Sequence, residues 1–183
     1  MKRVIIVHGW SGSPNRDWMA WLGKELEKKK IQVNIMEMPN SDTPVIESWV
    51  SYLEDNMGNL DNNTYFVGHS IGCQTILRVL EKSDKKIGGV LLVAPWLVLN
   101  ELAGEEKDIA SPWIERQINF ERVKKRTSNI LAIFSDDDPD VPQINIKLFK
   151  EKLNPKIIIA KKKGHFNDKK YDIILKEALS LIK

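Results

Sequence analysis

The stretch TYFVGHSIGCQTILRVLEK, residues 64–82, decides how this chain is read. TYFV is short, apolar and rich in aromatic and branched residues, as a buried strand is. CQTILRVLEK repeats its apolar residues at helical spacing. Between them stands G-H-S-I-G, with Gly68 and Gly72 on either side of Ser70. Without a Cβ at those two positions, a strand and a helix can close tightly around one strained residue. The helix N-terminus then lies beside the serine hydroxyl and favours negative charge developing there. Three fixed residues in five positions also arise by chance, so the motif takes its meaning from the rest of the chain.

Runs like TYFV recur throughout. They are RVIIVHG (3–9), IQVNIMEMP (31–39), GGVLLVAP (88–95), NILAIFSD (129–136) and KIIIAKK (156–162). Most are continuous rather than alternating and close on Gly, Pro or Asp, the pattern of strands covered on both faces in a parallel sheet. Amphipathic stretches separate them. In TPVIESWVSYLEDNMG (43–58), Thr43 is placed to cap and Pro44 to open a helix whose apolar face is Val45, Ile46, Trp49, Val50 and Leu53. Near the C-terminus Tyr171, Ile174, Leu175, Ala178 and Leu181 repeat in the same way. A β-α rhythm with six strands predicts one three-layer α/β domain over residues 1–183. One interval is irregular: residues 96–120 mix apolar, acidic and turn residues, too few for a lid domain but enough for an excursion over one sheet edge.

Composition narrows the function classes. With 28 Lys and Arg against 25 Asp and Glu, the net charge is only +3. The basic clusters Lys28–Lys30, Lys124–Arg126 and Lys161–Lys163 have no interleaved aromatics, so no nucleic-acid groove is expected. Cys73 stands alone, which forbids an intramolecular disulfide and favours a reducing compartment. The opening MKRVIIVHGW has too short an apolar stretch for a signal peptide. GGVLLVAPWLVL (88–99) falls short of the roughly 18 residues a membrane span needs. The expectation is a soluble, cytoplasmic protein with no membrane partner.

A serine hydroxyl needs a base to take its proton. The chain offers three histidines. His69 adjoins Ser70 and should project elsewhere from the turn, and His8 reads as part of the loop after the first strand. His165, in KKKGHF after the sixth strand, is left as the candidate base. An imidazole acting as base needs an acceptor to fix its tautomer. SDDDPDVP (135–142), after the fifth strand, offers Asp136, Asp137, Asp138 and Asp140. Their spacing is not that of a calcium loop, and no metal is expected there. The oxyanion of an acyl transfer would need donors, for which the backbone N–H groups of Ile71 and of Trp10, in HGWSGSP, are the candidates. That loop fits neither dinucleotide- nor nucleotide-phosphate-binding patterns.

Together VIIVHGWSGSP, FVGHSIG, SDDDPDVP and KKGHF resemble the α/β-hydrolase superfamily, in particular small lidless serine hydrolases of the retinoblastoma-binding protein 9 type. ASPWIERQINFERVKKR (110–126) is similar to that family's segment before the aspartate strand. The resemblance implies a reduced α/β-hydrolase fold with strands in the order 2-1-3-4-5-6. It implies Ser70 as nucleophile, His165 as base and Asp138, the residue before proline, as the acid, with Asp137 as rival. The expected chemistry is acyl-enzyme hydrolysis of a small ester, thioester or amide, with no metal or organic cofactor. Trp96 and Trp113 are candidate walls of the acyl pocket. Cys73, in the first turn after Ser70, is expected to pack rather than react. The rival from another class is a protein-binding module on the same scaffold.

Overall fold

The computed structural model describes residues 1–182. Its centre is one parallel sheet of six strands, in the order β2-β1-β3-β4-β5-β6. These are β1 (Arg3–Val7), β2 (Gln32–Met36), β3 (Thr64–His69), β4 (Gly89–Val93), β5 (Ile130–Ser135) and β6 (Lys156–Ala160). Every expected run supplies a strand, in the expected order. All residues of β3, β4 and β5 are buried, which is why those segments read as unbroken apolar runs. The outermost strands β2 and β6 are only partly covered, so QVNIM alternates and KIIIA leaves Ile159 exposed.

Seven helices flank the sheet among the described residues: α1 (Met19–Glu27), α2 (Ile46–Asn56), α3 (Ile71–Lys82), α4 (Gly104–Glu115), α5 (Phe120–Lys124), α6 (Ile144–Leu153) and α7 (Asp172–Leu181). Helix α1 packs on α7, whereas α3 joins α2 and α5, and α5 joins α6. Order 2-1-3 reverses direction at β1, and right-handed crossovers then send α1 to the face opposite α2 and α3. Helix α3 is buried from Ile71 to Leu80, which includes Gln74, Thr75 and Arg78. It is the helical core of its layer rather than a surface helix.

The start of α2 differs from the sequence reading. The helix opens at Ile46; Val45 before it is extended and 54% exposed. Thr43 belongs to a turn, its N–H bonded to Asn40 O, and Pro44 O accepts the indole N–H of Trp113. That long-range bond ties Pro44 outside the helix, before the extended Val45. Ile46, Trp49, Val50 and Leu53 form the buried face.

The excursion of residues 96–120 folds into α4 and the turns around it, not into a separate lid. Its Arg116 and Trp113 carbonyls are gathered by the buried Arg78 guanidinium of α3, at 2.7 and 3.1 Å. The loops after β1, β3, β4, β5 and β6 consequently meet at the C-terminal edge of the sheet, where open α/β folds place their ligands.

Candidate active site

Ser70 sits at the turn between β3 and α3 with φ 51° and ψ −121°, a conformation in which a non-glycine residue stores about 1–3 kcal/mol. Two bonds hold it there: Ser70 N–H donates to Val93 O at 2.9 Å, and Cys73 N–H to Ser70 O at 2.9 Å. The flanking glycines permit the crossing. A Cβ on Gly72 would lie 2.5 Å from the carbonyl oxygens of Val7 and His8, and one on Gly68 would lie 2.9 Å from the Cys73 backbone. Strand β3 extends through His69, so the turn is sharper than the motif suggests.

His165 follows β6 in a loop that other loops tie down. Lys162 N–H donates to Asp136 Oδ1 (2.8 Å), Lys163 N–H to Ser135 Oγ (2.9 Å) and Gly164 N–H to Asp137 Oδ1 (2.8 Å). Trp18 Nε1–H takes Phe166 O at 3.0 Å. His69 Nε2 lies 2.8 Å from His165 O, and with a carbonyl as partner the nitrogen must be the donor. Burial, reinforced by the nearby His165, pushes the His69 pKa down to about 3. His69 is therefore a neutral prop under the His165 backbone, a contact its place in the sequence does not reveal.

The four aspartates after β5 separate by partner. Asp138 brings both carboxylate oxygens to His165 Nδ1, at 3.0 and 3.1 Å, and its side chain is 2% exposed. Its Oδ1 also accepts from the N–H groups of Asp140 and Val141, at 2.9 and 3.0 Å. The carboxylate is thus fixed before it meets the imidazole. Asp137 instead accepts from Ser135 Oγ and the His165 loop, which hold its pKa low. Asp140 reaches Nδ1 only at 3.7 Å and is 57% exposed. A carboxylate at Nδ1 keeps the proton there and leaves Nε2 as the basic nitrogen.

Asp138, Asp140 and His165 are close enough together to be counted as a cation cluster. The His165 nitrogen in it already faces Asp138, so the grouping is the histidine–carboxylate pair with one exposed neighbour. The remaining histidine, His8, accepts Met38 N–H at Nε2 (3.1 Å) and donates from Nδ1 to Gly9 O (2.8 Å). Burial lowers its pKa, and it braces the loop after β1.

Ser70 and His165 line one cavity of about 440 Å³ with Trp10, Trp96 and, from the excursion, Leu99 and Leu102. Neither the Trp10 nor the Ile71 backbone N–H has an acceptor among the described residues. For Ile71 this is the ordinary state of a first helical residue. The hydrogen-bond partner of Ser70 Oγ among the described residues is the Trp96 indole, whose Nε1–H donates at 3.2 Å.

The family model for serine hydrolases matches residues 4–172. The chain belongs to the serine hydrolase family. It is 32% identical over 167 residues to YdeN of Bacillus subtilis (strain 168), named as a hydrolase, covering 90% of this chain and 86% of that protein. It is 25% identical over 183 residues to the serine hydrolase RBBP9 of Rattus norvegicus, covering 98% and 95%. The crystal structure of the B. subtilis ydeN product superposes with a TM-score of 0.89 at 27% identity, over 99% of this chain and 98% of that one. Est1E of Butyrivibrio proteoclasticus, solved with ferulic acid bound, shares the fold at a TM-score of 0.77 and 15% identity, over 100% of this chain and 87% of that one.

Two expectations about this hydrolase's cavity divide. Trp96 lines it. Trp113 does not: it packs edge-on to Trp49 at 6.2 Å and spends its indole N–H on Pro44 O. Its place in α4 turns it inward under α2, so it is a core residue and no pocket wall. Cys73 is fully buried, its thiol bonded to Val93 O at 3.4 Å, and burial pushes its pKa up. No helix among the described residues is long and apolar enough to cross a membrane.

Proposed function

We propose that this serine hydrolase cleaves small carboxylic esters through an acyl-enzyme on Ser70, with His165 as general base and Asp138 as its orienting acid. The observation carrying this reading is the Asp138 carboxylate on His165 Nδ1, with the ring in the same cavity as a strained serine. Ser70 Oγ attacks the acyl carbon as its proton passes to Nε2 of His165. The carbonyl oxygen takes the negative charge and lies against the Trp10 and Ile71 N–H groups, which have no competing acceptor. His165 returns the proton to the leaving group, and water repeats the sequence to free the acid. Catalytic hydrogen bonds commonly tighten only once substrate is bound, so the serine–histidine contact is expected to close in the complex.

The cavity volume favours small substrates. About 440 Å³ is near the lower end of the ~300–1,000 Å³ typical of ligand pockets. Thioesters and amides fit the same chemistry; a short ester, with the better leaving group, suits a site without a lid domain. The reaction as written draws on no metal or organic cofactor.

The test is fluorophosphonate labelling, with mass spectrometry to locate the adduct. Labelling on Ser70 that is lost in Ser70→Ala and His165→Ala, followed by turnover of short-chain esters, is the expected result. Folded protein that takes no label would refute the reading and leave a protein-binding role for the scaffold.

A further inference from the structure

Trp96 occupies a position that a pocket wall does not require. It follows β4 by three residues, is fully buried, and points its one polar atom at the oxygen of Ser70. The segment carrying it is held with unusual care. Ala94 takes φ 48°, a strained value for alanine, and its N–H is bonded to Ile133 O at 2.8 Å. The Trp96 carbonyl accepts from Gln74 Nε2 at 3.2 Å, and Gln74 is in turn bonded by the buried Arg78 at 3.0 Å. Beyond the tryptophan, the fully buried Asn145 accepts both Leu97 N–H (2.7 Å) and Val98 N–H (3.1 Å) and donates to Val98 O (2.8 Å).

Buried amides cost free energy unless paired, and here they are paired to the loop that sets one indole. These ties converge on the residues either side of the indole, whereas the cavity-lining stretch from Leu99 to Leu102 is held at Asn100 to the Asp140 and Pro139 carbonyls. The indole N–H is a donor only, and the serine oxygen is its acceptor.

We infer that Trp96 is a catalytic residue: its indole N–H orients Ser70 Oγ and stabilises the charge that develops there and on the adjacent oxyanion. This rests on the reading of Ser70 as the nucleophile. A serine hydroxyl has one proton and two lone pairs. With one lone pair held by Trp96, the proton is left to turn toward His165 Nε2 and the other lone pair toward the acyl carbon. As the O–H bond breaks and the proton moves to Nε2, Oγ gains charge and the indole bond becomes charge-assisted, hence stronger than in the resting enzyme. Once the Oγ–carbon bond has formed, Oγ is an ester-type oxygen and a poor acceptor. The N–H is then free for the oxyanion attached to the same carbon, beside the backbone N–H groups of Trp10 and Ile71. A donor whose bond strengthens toward the transition state raises the chemical rate rather than substrate affinity.

The experiment compares wild type, Trp96→Phe and Ser70→Ala in the rate of fluorophosphonate labelling and in kcat and KM for a short ester. Trp96→Phe keeps most of the ring volume and removes the donor. The expected result is a loss of about 10²-fold in labelling rate and kcat, with KM changed by less than about threefold. Wild type that labels on Ser70 while Trp96→Phe labels at the same rate or faster overturns the role of Trp96 alone. Wild type that never labels overturns it together with the nucleophile assignment. Should Trp96→Phe not fold, wild-type protein with ¹⁵N-labelled indoles decides between the outcomes. One of its indole N–H resonances should move upfield in Ser70→Ala and downfield in the phosphonate adduct, and the absence of any resonance answering to both overturns the inference.

Discussion

Acidification should weaken this protein through His69 in a calculable way. In the folded chain the ring is buried, faces His165 at a centroid distance of 5.0 Å and has a pKa of about 3. In the unfolded chain it titrates near 6.5. Between those values the unfolded state binds the proton and the folded state does not, so stability falls as pH falls through that window. From 6.5 down to pH 5 is about 1.5 units, which at 1.36 kcal/mol per unit gives about 2 kcal/mol. For a chain of this length that lowers Tm by about 4–8 °C. His8, also lowered by burial, adds in the same direction. The lowered carboxylates Glu47, Asp61 and Asp137 act below about pH 4.5, and Asp17, raised by burial, works in the opposite direction but alike in wild type and variant. The assay is urea unfolding of wild type and His69→Gln at pH 7 and pH 5. The variant, whose amide can donate to His165 O but cannot take up a proton, should lose about 2 kcal/mol less on going to pH 5. Equal pH dependence in the two proteins would refute a neutral, buried His69.

Other substitutions separate the parts of the site. Asp138→Asn should cut kcat on esters by roughly 10³–10⁴-fold with little change in Tm, because it spoils the His165 tautomer. Asp137→Asn should lower Tm through the loosened His165 loop and change kcat far less; kcat losses of equal size in both would contradict their different partners. Gly72→Ala drives a Cβ into two backbone carbonyls that cannot yield, and a loss of at least about 1–3 kcal/mol is expected in chemical unfolding; a wild-type midpoint would show that the strand–helix crossing is not tight. Trp113→Phe forfeits the bond to Pro44 O and should cost about 1–3 kcal/mol of stability without moving KM, whereas a raised KM would return Trp113 to the pocket.

How legible the molecule was in its sequence depends on the range of the interactions that decide each feature. The central strands were readable because burial on both faces demands largely apolar runs, and every position of β3, β4 and β5 is buried. The turn at Ser70 was readable because it needs glycine at Gly72, where a Cβ would lie 2.5 Å from the carbonyl oxygens of Val7 and His8. Three histidines were few enough for their places in the chain to leave His165 as the candidate base. Each of these leaves its mark in a short stretch of sequence, even where the contacts behind it, such as Gly72 on Val7 and His8, are long-range.

The choice among Asp136, Asp137, Asp138 and Asp140 was not local: adjacent carboxylates of identical chemistry acquire different partners only when the loop after β6 docks beside the loop after β5. Trp96 and Trp113 lie in one excursion and look alike in sequence. Where each indole finds its acceptor, Ser70 Oγ or Pro44 O, depends on how α4 packs over α2 and α3. The same holds for Thr43 and Pro44, displaced from a helix start by a bond to a residue 69 positions away. Gln74, Arg78 and Asn145 are polar helix residues that are nonetheless buried, because other segments of the chain supply their partners. Chain chemistry alone determined the sheet, the serine turn and the candidate histidine; the meeting of five loop tips at one sheet edge decided which carboxylate faces His165, which indole faces Ser70 Oγ and which amides are buried around it, because those contacts exist only between residues the fold brings together.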